Sequence, residues 1–245
     1  MCQESANLPP LHGPAMPTVT FTMSLGGANP SYYSISVSSI GTTSYRAQPN
    51  SDQQTGLPEM DDFTATNRTR TEIFLLTKKL HFFNGKFKTS DWNGRMGWKS
   101  LTFAEGPIRN EIDYTSSKNR AVKQLTCLFE SIATTLEYGW KLSRLRADDP
   151  TALAAELRQM QQRISRRQLV EFEAIASIVR DIAFDPRVPD DSRRCARNLL
   201  KEIHSVTEDG ASSAARHLRA KVFLPYGKGR RTNEITNQAG HDFRS

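Results

Sequence analysis

Two tryptophans, Trp92 and Trp98, stand in the stretch KFKTSDWNGRMGWKS (86–100) among Lys86, Lys88, Arg95 and Lys99. Flat rings beside cations are the ingredients for stacking on a sugar or a base while a charged group holds a neighbouring oxygen. Trp92, Trp98, Lys88 and Arg95 are therefore the candidate ligand or partner site of the folded part. The competing role for the two rings is packing against a sheet edge. A second candidate is YGKGRR (226–231), where Lys228, Arg230 and Arg231 sit next to glycines that leave the chain free to follow a polyanion. A purely solubilising extension is the plainer role for it.

Other chemistry finds no constellation. The five histidines (His12, His81, His204, His217, His241) are scattered without partners at ligand spacing. Nucleotide-binding glycine loops, nucleophile elbows and H-E-x-x-H are absent. Asp52, Glu59, Asp61 and Asp62 crowd one acidic, Pro- and Gly-rich stretch, but not at the spacing of a calcium loop. Three cysteines cannot build a disulfide framework, and Cys127 and Cys195 fall on the expected apolar faces of helices. No catalytic residue, cofactor or metal is expected from the sequence.

The elements that must position these residues follow from periodicity. TVTFTM (18–23) and YSISVSSIGTTSYRA (33–47) alternate apolar and hydroxyl side chains, as half-buried strands do, and the second stretch folds back at Gly41 as a hairpin. QPNSDQQTGLPEMDD reads as a long loop. From Thr66 a helix is expected, with Ile73, Leu76, Leu80 and Phe83 as its apolar stripe and Asn84-Gly85 as its end. KSLTFAEGPIRNEIDY supplies a second hairpin, and a long helix capped by Ser116 or Ser117 carries the stripe Val122, Leu125, Phe129, Ile132, Leu136 and Trp140. The fold class is thus α+β: an antiparallel sheet of two hairpins covered by two helices, followed by a small all-helical segment.

Asp148-Asp149-Pro150 reads as the start of the helical segment, whose stripes run through Leu153, Leu157, Met160 and Ile164, then Leu169 to Ile182, then Cys195, Leu199 and Ile203. IVRDIAFDPRVPDDSRRCARNLLKEI looks like half of a HEAT-type repeat, but a single copy points to a small bundle docked on the long helix. The chain divides into a disordered lead (1–16), an α+β sheet domain (17–146), a helical segment (147–206) and a flexible basic tail (207–245). The formal net charge of +7 is concentrated at that end: from Arg216 onward seven basic residues face two acidic ones.

The run PTVTF, YSISVSSIGTTSY, KLHFFNGKF, SLTF and LFESIATTLEYGWKL resembles an uncharacterised family of exported bacterial α+β domains, of acidobacterial type, over roughly residues 17–205. The resemblance rests on general spacing and implies an envelope address without a chemistry. Met1-Cys2 before a Pro-rich lead is similar to the start of a mature lipoprotein, so an exported, periplasmic or lipid-anchored protein is expected if a signal lies upstream, and a cytoplasmic one otherwise. No run approaches the ~20 apolar residues of a membrane span. The leading functional reading is a non-enzymatic binding or scaffolding protein, envelope-associated, with a protein or glycan partner. The alternatives are a nucleic-acid-associated protein working through the tail, and an enzyme with a cleft near the Trp92/Trp98 loop.

Overall fold

The computed structural model describes residues 16–26, 30–48, 60–85, 87 and 97–203. All of them belong to one compact unit, Met1–Val206, while Thr207–Ser245 lie outside the described residues.

Six strands form one antiparallel sheet: β1 (Thr18–Ser24), β2 (Tyr32–Ser38), β3 (Thr42–Gln48), β4 (Met60–Thr64), β5 (Trp98–Glu105) and β6 (Ile108–Tyr114), in the order β4-β3-β2-β1-β5-β6. The α+β class is as the sequence indicates. The sheet is larger than the expected pair of hairpins, because β1 joins them, pairing with β2 on one side and β5 on the other. The extra edge strand β4 is drawn from the expected acidic loop and pairs with β3 through Thr43↔Phe63 and Tyr45↔Asp61. Its five residues, MDDFT, carry too little alternation to stand out, and two aspartates are the kind of residue that protects a sheet edge.

Helix α1 (Asn67–Lys79) begins at the expected cap: the Thr66 hydroxyl accepts from the Thr69 N–H. It ends earlier than Asn84-Gly85, in a left-handed turn where His81, Phe82 and Phe83 all have φ between 50° and 60°. Three consecutive non-glycine residues hold this region only because packing compensates. Phe83 is buried, the Phe82 ring lies 4.9 Å from that of Phe103, and Asn110 Nδ2 donates to the Phe82 carbonyl at 2.9 Å.

Helix α2 (Arg120–Asp148) is capped by Asn119, whose Oδ1 accepts from the Ala121 and Val122 N–H groups, with Ser117 Oγ in turn accepting from the Asn119 N–H. Three further helices follow: α3 (Leu153–Ser165), α4 (Ala176–Phe184) and α5 (190–203). Asp149 and Pro150 lie in the turn before α3 and do not cap it; Asp149 Oδ1 instead accepts from the Thr151 hydroxyl. Cys195 is half-buried, but Cys127 is exposed, against the expected apolar position. It lies next to the buried Thr126, whose hydroxyl bonds are satisfied internally, so the buried arc of α2 is partly polar there.

A single apolar cluster runs from Val19 and Phe21 of β1, through Phe129 and Leu136 of α2, to Met160, Val179 and Leu199 of the later helices. Residues 146–147, where the sequence places a boundary, fall inside the last turn of α2. That helix is shared: Phe129 stacks on Phe21 of the sheet at 5.4 Å, and Gly139 lets α4's neighbourhood come close on the other side. A Cβ at Gly139 would lie 2.5 Å from Ile175 Cγ2. Two polar ties reinforce the join. The buried Glu171, itself left-handed at φ 58°, accepts from the Thr66 N–H at 2.9 Å and the Thr66 hydroxyl at 2.7 Å. Asp185, its side chain 4% exposed, receives the guanidinium groups of Arg187 and Arg146, and these hydrogen bonds hold its carboxyl well below the usual carboxylate range.

Candidate binding face of the sheet

Because side chains alternate across a strand, register sorts them into two faces. All the strand residues in the apolar core lie on one of them: Val19, Phe21, Tyr33, Ile35, Val37, Tyr45, Ala47, Leu101, Phe103, Ile112 and Tyr114. The opposite face is built differently. Along β1 it carries Thr18, Thr20, Thr22 and Ser24; along β2, Tyr32, Ser34, Ser36 and Ser38; along β5, Trp98, Ser100 and Thr102. The register aligns these into rows. Ser34 and Ser100 flank Thr22, and Ser36 and Thr102 flank Thr20. Next to the first row stand Arg46 and Asp113, and the second row ends in Asp62 (beyond Ser44) and Glu111.

The result is a strip of small hydroxyl side chains three strands wide, bordered by charged residues of both signs. Thr20 and Ser36 hydroxyls are 2.9 Å apart, and Ser100 donates to Glu111 Oε1 at 2.8 Å, so the strip is organised by cross-strand hydrogen bonds. The β1 and β2 hydroxyl residues are half-buried, whereas Ser100 and Thr102 are buried.

One end of the strip is aromatic. Ser24 pairs with Tyr32 on β2 and with Trp98 on β5, so both rings belong to the hydroxyl face with Ser24 between them. The chain enters β5 through Gly97, where a Cβ would stand 2.6 Å from the Ser24 carbonyl oxygen. Only glycine permits that approach, and it fixes where Trp98 enters the sheet.

Of the four residues of the sequence-derived site, Trp98 is among the described residues. Trp98 is on the hydroxyl face, half-buried. Lys99, next to it, points the other way and donates to Glu130 Oε1 at 2.7 Å. Trp92, Lys88 and Arg95 lie outside the described residues, as do Lys228, Arg230 and Arg231 of the basic tail. Tyr32 is a site residue that the sequence reading misses, although its spacing two before Ser34 puts it in phase with the hydroxyl side chains.

The core side of the same sheet end is also polar. Rings run from Phe21 to Tyr33 (6.0 Å), Tyr33 to Tyr45 (5.8 Å) and Tyr45 to Trp140 (4.8 Å). Tyr114 and Thr126 hydroxyls share a 2.5 Å hydrogen bond, and the Tyr33 hydroxyl donates to Met23 Sδ at 3.3 Å, whereas the buried Tyr45 hydroxyl has no hydrogen-bond partner among the described residues. Burial pushes all three tyrosines far up; the charges of Glu130 and Glu137 add to this at Tyr33, and that of Glu137 at Tyr45. Burial likewise raises Glu137 to about 7, against the pull of Arg163. Asp61 is raised by burial and then by Asp62, with a hydrogen bond from the Trp140 side chain opposing. Tyr33, Tyr45 and Tyr114 are part of the core, and Asp61 and Glu137 lie half-buried at its margin.

Among the described residues, no group of three or more His, Cys, Asp or Glu side chains is placed to hold a metal ion, and no helix is long and apolar enough to cross a membrane. No protein-family model matches the sequence, and no curated protein does.

Proposed function

We propose that the protein is a non-enzymatic binding protein of the cell envelope, with the hydroxyl face of the sheet as its working surface. One observation carries this reading: a six-stranded sheet that buries apolar residues on one face and presents an ordered Ser/Thr strip on the other. Among the described residues the strip side of the sheet carries no strand residue of the apolar core, and small hydroxyls are donors and acceptors that impose no bulk. The envelope address rests on the family resemblance.

The test is cosedimentation of the full chain with purified envelope fragments. Thr20→Arg combined with Ser36→Arg places two long charged side chains in the middle of the strip without touching the core. The expected result is loss of sedimentation with the circular dichroism spectrum unchanged. Sedimentation equal to that of the parent chain would contradict the reading.

A further inference from the structure

The chemistry at the aromatic end of the strip identifies a class of ligand. Resting on the binding-face reading above, we infer that the surface around Tyr32, Ser24 and Trp98 binds a neutral, β-linked polysaccharide chain laid across the strands. Tyr32 and Trp98 belong to the strands on either side of β1, so their backbones are separated by two strand spacings, roughly 10 Å. Between them the face drops to Ser24, one of the smallest side chains. Two half-buried rings rooted on strands this far apart suit an extended sugar chain, whose units present apolar C–H faces to aromatic rings. The hydroxyls then project to the sides, where the half-buried Ser34 and Thr22 supply partners, with Arg46 beside Ser34.

Other ligands fit less well. The charged residues bordering the strip are Arg46, Arg109, Asp62, Glu111 and Asp113, a near-balanced set with Arg109 paired to Glu111, which offers a phosphate backbone no row of cations. Small hydroxyl side chains offer no apolar pocket to anchor the side chains of a peptide. A neutral polyhydroxylated chain meets neither obstacle. Gly97 has a place in this arrangement, because its close approach to the Ser24 carbonyl fixes the chain position from which Trp98 projects.

The experiment is calorimetric titration of the full chain with hexamers of β-1,4-linked glucose, N-acetylglucosamine and xylose. Saturable binding of at least one hexamer is expected. Tyr32→Ala and Trp98→Ala should each weaken it about tenfold or more, the loss of one stacked ring, while Tyr32→Phe, which keeps the ring, should stay close to the parent. The Tyr32→Phe arm reads stacking even where an alanine variant folds poorly. No saturable binding of any hexamer overturns the inference, as does binding that survives both alanine substitutions in folded protein. If no hexamer binds but Thr20→Arg/Ser36→Arg still abolishes envelope sedimentation, the polysaccharide assignment fails and the binding face stands. If neither effect is seen, both fall.

Discussion

Glu137 is the residue where burial and titration meet most directly. Its carboxyl, on α2, faces Tyr33 and Tyr45 of the sheet and Arg163 of α3, and burial raises it from 4.5 to about 7. The folded state therefore binds the proton more tightly than the unfolded chain. The associated stability is fully present below about pH 4.5 and is lost as the pH rises through about 7, amounting to about 3 kcal/mol. Asp61, raised in the same direction, adds to the trend. Asp185 acts oppositely: its lowered carboxyl contributes stability above 3.8, lost as the pH falls. Urea unfolding of the full chain should show maximum stability in mild acid. Glu137→Gln should flatten the decline towards neutral pH, and an unchanged slope in that variant would show that Glu137 is not its source. None of this is legible in the sequence, where Glu137 is one acidic residue between two apolar helix positions, and only the fold shows that it faces two buried tyrosines.

Elements divide into those that periodicity reveals and those that partnership reveals. The stripe from Val122 to Leu136 is regular because one helix face must meet apolar neighbours throughout, and all of Val122, Leu125, Phe129, Ile132 and Leu136 are fully buried. β1, β2 and β5 are likewise readable from alternation. What alternation does not contain is the pairing of β1 with β5, made by residues about eighty positions apart, or the recruitment of the short β4 to an edge. The same gap applies to the site. Trp98 is identifiable by type, but its grouping with Lys99 fails because adjacent strand residues face opposite sides, and its pairing with Tyr32 depends on β1 lying between two strands distant in sequence. Gly139 tests how closely α2 meets the segment around Ile175. In an isolated helix Gly→Ala is favourable by about 1 kcal/mol, whereas here the new methyl would strike Ile175 Cγ2. Overpacking of this kind costs about 1–3 kcal/mol, so Gly139→Ala should destabilise the protein on balance. A more stable variant in chemical denaturation would show that the two segments are not in close contact.

At the scale of the whole molecule, the two polar features of the sequence propose different partners. The sheet face is nearly flat in charge and suits a neutral ligand, while the seven basic residues from Arg216 to the end suit a polyanion. If the tail binds nucleic acid, affinity of the full chain for mixed-sequence DNA should fall steeply with salt, and ending the chain after Ser213 should flatten that dependence. With the sheet as the working surface, DNA binding should instead be weak and independent of the tail. The most direct measurement of that claim is a map of backbone amide shifts in the labelled full chain on adding solubilised envelope polysaccharide. Shifts concentrated at Thr20, Thr22, Ser24, Ser34 and Ser36 are predicted. Shifts confined to helical positions such as Leu75 and Phe184, or none on the sheet, would contradict it.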